Sequence, residues 1–358
     1  MSLDQVFRPE LDAMKAYALP RIEGGIKLDA MENPFAWPGD LQSEWASFVS
    51  QEPLNRYPSY QIEQLTEQLT DELQLNALQG LLLGNGSDEL IQMLCMACAK
   101  PGATVLTPAP SFSMYEVITR MVGSEFQTFA LTPDFELDAS VAIAAIKQHQ
   151  PAIIYLAIPN NPTGNVFDQQ VVLEIIQQAP GWVVIDEAYT VFSASDWSDA
   201  LQRFPNVLIL RTLSKMGLAG VRLGYMAGPK AAIETINKLR LPYNINTLSW
   251  RTACFALQHR EHLAAQAAQI KTQRTWLFEQ LSSIDGIHVW PSEANFLLFR
   301  LGQADPSQFY QSLQSQQIWI KRLDGSHPML EKCFRVSVGT AAENQAFVAG
   351  AKKAFLYA

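Results

Sequence analysis

Cysteine is scarce in this chain: four residues in 358, at Cys95, Cys98, Cys254 and Cys333. So few thiols do not make a disulfide framework. Cys95 and Cys98 do form a C-x-x-C pair. They lie inside the apolar helical run 90–99, with no glycine or proline turn and no second pair to complete a zinc site, so they read as core packing. The five histidines, His149, His259, His262, His288 and His327, make no H-x-x-x-H or H-E-x-x-H pattern, and no catalytic metal is expected. Positive charge is also in short supply. With 26 Lys and Arg against 35 Asp and Glu the net charge is −9, which argues against nucleic acid or an anionic membrane surface as partner. An anionic substrate would have to be met by local positive charge. No apolar run approaches the roughly 20 residues that span a bilayer. Residues 1–10 are polar and carry two acids, unlike a signal peptide, so a soluble, cytoplasmic protein is expected.

What is present is enough apolar sequence, 48% of the chain, for a large core and two domains. The first fifty residues show little periodicity and pass through Asn33-Pro34-Phe35-Ala36-Trp37-Pro38, which reads as an irregular arm lying on other structure. Asn55-Arg56-Tyr57-Pro58 reads as an extended loop, since the residue before a proline avoids the helical region. Residues 60–73 then place Ile62, Leu65, Leu69 and Leu73 on one helical stripe. From there, short β-runs at 81–83, 104–106, 153–158, 183–185 and 207–210 are separated by helical patterns such as 87–99 and 169–178. That alternation predicts an α/β fold with a mostly parallel sheet covered on both faces. Past residue 239 the alternation stops. A helical stretch at 248–281, strands at 288–290, 296–299 and 318–320, a helix at 306–316 and a last helix from Glu343 read as a smaller α+β domain.

In such sheets ligands sit beyond the carboxyl ends of the strands, so the residues there carry the functional reading. The first run is followed by Gly84-Asn85-Gly86-Ser87-Asp88-Glu89. Its glycines allow close backbone approach, Ser87 or Asp88 can cap the next helix, and free amides at a helix start can seat a phosphate. An ordinary capped turn is the alternative. Pro108-Ala109-Pro110-Ser111-Phe112 presents a ring that is either a stacking platform or simply buried. Pro159-Asn160-Asn161-Pro162-Thr163-Gly164 holds two amides between prolines, and a rigid amide can donate to an oxyanion. Asp186, in Trp182-Val183-Val184-Ile185-Asp186-Glu187-Ala188-Tyr189, ends a buried strand on an acid that needs a partner, for which a protonated ring nitrogen would serve. Tyr189 would face the same pocket if the chain turns helical there. Arg211-Thr212-Leu213-Ser214-Lys215 then delivers hydroxyls and a lysine, with Arg222 seven residues later. Lys215 is either a solvated loop lysine or an amine activated for imine chemistry by nearby cations and burial. An anion seat, a ring platform, an amide, a buried acid and a lysine at successive strand ends together describe a pyridoxal phosphate pocket.

On these residues the chain resembles the pyridoxal-phosphate-dependent aminotransferases of the aspartate aminotransferase fold, and within them the histidinol-phosphate aminotransferase family. The likeness also takes in Lys27-Leu28-Asp29-Ala30-Met31-Glu32-Asn33-Pro34, Arg56-Tyr57-Pro58, Ala294-Asn295-Phe296 and Arg335-Val336-Ser337-Val338-Gly339-Thr340, and so runs over nearly the whole chain. It departs from the pattern in three places. Phe112 stands for a frequent tyrosine, Met31 for a frequent asparagine, and the interval from Lys215 to Arg222 is seven residues where aspartate aminotransferase has eight.

The resemblance implies the type I fold of pyridoxal-phosphate-dependent transferases. A large cofactor-binding domain would span 50–245, and a smaller α+β domain would form from both chain ends, 1–49 and 246–358. It makes Lys215 the imine-forming catalytic lysine and pairs Asp186 with the pyridinium nitrogen. Tyr189 and Asn161 would take the ring's phenolic oxygen, and Phe112 would stack on the ring. The phosphate would sit among Gly86, Ser87, Asp88, Thr212, Ser214 and Arg222, with Tyr57 reaching it from the other subunit of a homodimer. Arg335 becomes the clamp for the phosphate of histidinol phosphate and the carboxylate of glutamate or 2-oxoglutarate. Tyr17, Asn33, Asn161 and one of Lys321 or Arg322 are implied as further substrate contacts. The activity implied is amino transfer between histidinol phosphate and 2-oxoglutarate, in either direction. Sister activities on the same scaffold, an aromatic amino acid aminotransferase or a phosphothreonine-type decarboxylase, are the rivals. A non-catalytic pyridoxal-phosphate module would want a basic helix-turn-helix segment, and a nicotinamide dehydrogenase would want glycine where Glu89 stands.

Overall fold

The computed structural model describes residues 24–58 and 62–357, with 6–8, 11, 14 and 16; Tyr17 lies outside them. Twelve strands among these residues form two sheets. In chain order the strands are β1 (Ile26–Leu28), β2 (Gln79–Gly84), β3 (Thr104–Ala109), β4 (Glu125–Ala130), β5 (Ile153–Ala157), β6 (Trp182–Asp186), β7 (Val207–Thr212), β8 (Gly224–Pro229), β9 (Ile287–Val289), β10 (Phe296–Leu301), β11 (Ile318–Arg322) and β12 (Cys333–Ser337). The larger sheet runs β2-β8-β7-β6-β5-β3-β4, and only β8 is antiparallel to its neighbours. Its central strands β5, β6 and β7 run apolar through Ile153–Ala157, 182–185 and 207–210, because both faces are covered, and polar residues enter only at the carboxyl ends of β6 and β7. On β5, Ile154 and Leu156 join one core cluster while Ile153 and Tyr155 join the other. On β7, Val207 and Ile209 part from Leu208 and Leu210 in the same way.

The smaller sheet runs β1-β11-β12-β10-β9. The N-terminal strand β1 pairs parallel with β11, with Leu28 opposite Ile320, so both ends of the chain build this sheet. Its core is the aromatic group Phe299, Phe309, Phe334 and Phe347, all fully buried.

Several elements differ from the sequence reading. The arm contains a helix, Gly39–Ser50, that buries only Leu41 and so lacks a full apolar stripe. Strands β4 and β8 were not expected. β4 is an edge strand with Phe129 alone buried, and β8 carries two glycines and ends on proline. The stretch 248–281 is two helices, Thr247–Gln258 and Arg260–Ser282, parted at His259.

The carboxyl end of β6 is braced by charge. Glu187 accepts from Arg211 Nε at 2.9 Å and Nη2 at 2.8 Å, and its other oxygen accepts from the Trp197 amide at 2.8 Å. Arg211 Nη2 also reaches Asp196 and Ser198. Removing one member of a buried pair strands the other charge. Glu187→Ala should therefore destabilise the fold by about 3–5 kcal/mol in denaturant unfolding; a loss within the scatter of surface substitutions would remove this pair as a brace.

Candidate active site

The carboxyl ends of β5, β6 and β7 and the turn after β2 converge on one cavity, and Lys215 stands in its wall. The lysine sits in a one-turn helix, Ser214–Met216, directly after β7. Thr212 donates to Ser214 Oγ at 2.9 Å and also reaches the Leu223 carbonyl, which pins the start of the turn. Met216 and Leu218 both return hydrogen bonds to Leu213. The Lys215 amine is largely enclosed, 3.5 Å from the Ala30 carbonyl and 5.6 Å above the Tyr189 ring, while the residue as a whole is half-buried. Burial first, and then the cations Arg335 and Arg222, pull its pKa down to about 8. A substantial fraction of the amine is neutral near physiological pH, as a nucleophile or proton carrier requires.

Asp186 ends β6 with its carboxylate buried in the same cavity. One oxygen accepts from the Ala188 amide at 3.0 Å and the other from the Tyr115 hydroxyl at 2.7 Å. Burial nonetheless raises its pKa to about 6. The acid therefore stands in a site that favours a cation beside it. Tyr189 follows at the start of a short 3-10 turn, Thr190–Phe192, and its ring is buried against the cavity.

The phosphate-seat candidate is the helix Ser87–Cys98. Its N-cap is Gly86, and no side chain caps it, so neither Ser87 nor Asp88 plays the capping part that the sequence allowed. First-turn amides left without a side-chain acceptor, together with the helix dipole, favour an anion. Gly86 is at φ +85, and a Cβ built there would stand 2.8 Å from Arg222 Nη2. The positive φ is what favours glycine here, and the bare Cα lets the guanidinium lie close over the turn. Arg222 is itself left-handed at φ 54 and stands 3.8 Å from Asp88. Phe112 forms another part of the wall.

Asn161 joins two of these groups. Its amide nitrogen donates to Tyr189 OH at 3.1 Å, and its oxygen accepts from Arg335 Nη1 at 2.5 Å. Arg335, on β12 of the smaller sheet, also reaches the Asp29 carbonyl and lies over the Phe296 ring. Met31 lines the cavity, and its sulfur accepts from Tyr189 OH at 3.4 Å. Its backbone is held by Ser337 and Asn295.

Four of the expected contact residues stand away from the cavity wall. Asn33 is absent from the cavity wall because its amide is engaged with the Met216 carbonyl and Gln266, where it braces the lysine turn. Tyr57 is 76% exposed and stacks on Tyr243 at 4.5 Å. On β11, Lys321 is in register with Arg335 and shares its side of the sheet, whereas Arg322 is held by Asp324 at 2.6 Å. Tyr115 went unrecognised in the sequence. Its helix, Met114–Met121, follows Phe112 closely, and no motif there names the acid that it reaches across 71 residues.

The family description Aminotransferase class I and II matches residues 24–350. The histidinol-phosphate aminotransferase of Polaromonas naphthalenivorans is 45% identical over 350 residues, 97% of this chain and 95% of that protein. Among solved structures, histidinol-phosphate aminotransferase from Sinorhizobium meliloti in complex with pyridoxal-5'-phosphate is similar with a TM-score of 0.88, at 22% identity over 99% of both chains. L-threonine-O-3-phosphate decarboxylase from Porphyromonas gingivalis is similar at 0.77 and 20% identity, over 93% of this chain and all of that one. At these identities the two structures speak for the fold alone.

The raised pKa of Asp186 has a thermodynamic consequence in the ligand-free protein. A carboxyl whose pKa rises from 3.8 to about 6 on folding favours the fold fully below pH 4, and that contribution is lost as pH climbs through 6. Asp186→Asn should therefore stabilise the ligand-free protein at pH 8 by up to about 3 kcal/mol. The gap over the parent should close below pH 4. Equal unfolding midpoints at both pH values would contradict the assignment of a strained carboxylate.

Proposed function

The chain belongs to the class I and II aminotransferases, and on that footing we propose that it is a histidinol-phosphate aminotransferase. It exchanges an amino group between L-histidinol phosphate and 2-oxoglutarate, giving imidazole-acetol phosphate and L-glutamate, and runs in reverse for histidine biosynthesis. The observation that carries this reading is the meeting, in one cavity, of an amine with a pKa near 8, a buried acid in want of a cation and a helix start with no side-chain cap.

That donor set fits pyridoxal 5'-phosphate. When bound, the cofactor supplies an aldehyde for a lysine amine and a protonated ring that accepts the electron pair left when the substrate's Cα–H bond breaks. Asp186 would pair with the ring nitrogen and keep it charged, Tyr189 and Asn161 would take the phenolic oxygen, and Phe112 would cover a ring face. The amides of Gly86, Ser87 and Asp88, with Thr212, Ser214 and Arg222, would hold the phosphate. Lys215, with its pKa near neutrality, moves the proton at Cα. Arg335 grips the substrate's phosphate in one half-reaction and glutamate's carboxylate in the other, since a guanidinium suits both. Its bond to Asn161 ties substrate capture to the group that orients Tyr189. By the family resemblance, Lys321 or Arg322 and Tyr17 would be further contacts for the substrate's phosphate.

The protein works as a homodimer in which Tyr57 of one copy completes the phosphate site of the other. Support comes from the exposed Tyr57–Tyr243 stack and from Leu54 and Leu241, all large apolar side chains turned to solvent in a single copy. Tyr57 does not line the cavity of its own chain.

Two experiments test this reading. Histidinol phosphate and glutamate, added separately to the protein reconstituted with pyridoxal phosphate, should each change its visible absorption, and Lys215→Ala should lose turnover by at least about a thousandfold. An equal response to phenylalanine or tyrosine, or carbon dioxide release without use of an oxo acid, would assign a sister activity instead. Second, Lys215→Ala and Tyr57→Ala subunits, each impaired alone, should regain activity on mixing, because one shared site then carries both native residues. No recovery in a confirmed mixed dimer would refute the crossed arrangement.

A further inference from the structure

We propose that Tyr115 is a positioning residue for Asp186: its hydroxyl holds the acid ionised and aimed at the place where the ring nitrogen of the cofactor binds. This rests on the pyridoxal phosphate reading of the cavity and goes beyond it, since no strand-end motif includes Tyr115.

The hydroxyl donates to Asp186 Oδ2 at 2.7 Å, and the phenol is completely buried. Burial and the neighbouring acid raise its own pKa well above the ordinary value, so it remains a neutral donor at any working pH. A phenol in that state can satisfy a carboxylate but cannot neutralise it. Together with the Ala188 amide on Oδ1, it gives each oxygen one fixed hydrogen bond. The carboxylate plane is thereby set, with lone pairs left over for a ring N–H.

The tyrosine is itself held on two sides. It stacks on Tyr155 of β5 at 4.4 Å and 7°, and meets the Phe112 ring edge-on at 5.4 Å and 87°. Tyr155 is tied in turn to Cys95 at 3.4 Å and to the Ile91 carbonyl, both in the helix that opens with the phosphate-seat candidate. One packed column thus links that helix, the ring platform and the acid. It also gives Cys95 a structural part, buried and with its thiol pushed up by burial. Other titratable groups whose charge acts on this cluster include Asp88 and Lys215, which act on Asp186, Cys98, which acts on Tyr155, and the buried Tyr189.

The test compares Tyr115→Phe with Tyr155→Phe. Each removes one buried hydroxyl and keeps its ring in the stack, so a purely structural role predicts the same behaviour from both. The readouts are the dissociation constant for pyridoxal phosphate and the 15N resonance of cofactor labelled at the ring nitrogen. Loss of a hydrogen bond to a charged group weakens binding by about ten- to a hundredfold. Tyr115→Phe should show that loss and move the 15N signal toward an unprotonated ring, while Tyr155→Phe should keep the parental affinity and signal. If the parent binds the cofactor but Tyr115→Phe matches it in both readouts, or if the two variants shift alike, the proposal is wrong. If the parent itself does not bind pyridoxal phosphate, the functional reading above fails instead.

Discussion

An ionised carboxylate taken out of water must find compensation, and this molecule answers that demand twice in adjacent residues. Glu187 is neutralised by the chain's own Arg211 and locked by a backbone amide. Asp186, one residue earlier and just as deep, receives only a hydroxyl and an amide, which soften the cost without cancelling the charge. One of the two acids closes the structure. The other keeps it open to a cation from outside, and the cavity is arranged around that difference.

The remaining charges follow the same logic at a distance. Arg222 lies close over Gly86 at the start of the helix Ser87–Cys98. Arg335 crosses from the smaller sheet to the larger through Asn161, and both arginines bear on the Lys215 amine. An anion bound at either guanidinium offsets part of the field that holds the lysine neutral, so charge capture and the state of the amine are coupled through Coulomb interaction alone. In an acidic protein of net charge −9 this local concentration of cations is what makes an anionic ligand acceptable.

The strands at 153–158 and 207–210 were legible because apolar runs of strand length alternate with helical patterns there. The strand-end groups, Asp186, Asn161 and Lys215 among them, were legible for a related reason: polar residues that terminate such runs have few structural explanations. Legibility failed where one face only is buried. The helix Gly39–Ser50 and the edge strand β4 present one core residue each; β8, although buried on both faces, is masked in the sequence by its two glycines and terminal proline. His259 parts two helices without a glycine or proline to announce it.

The sequence by itself determined which chemical groups stand at the ends of the parallel strands, since strand periodicity and turn residues are local properties of the chain. Tertiary structure decided how those groups modify one another. That Tyr115 serves Asp186, that Asn161 bridges Tyr189 and Arg335, and that Asn33 braces the lysine turn are facts of distance between residues 71, 174 and 183 positions apart. The lowered pKa of Lys215 belongs to the same class, because it arises from burial and from cations on other strands and loops. Dielectric environment and through-space charge depend on the folded packing, and no local pattern in the chain encodes them.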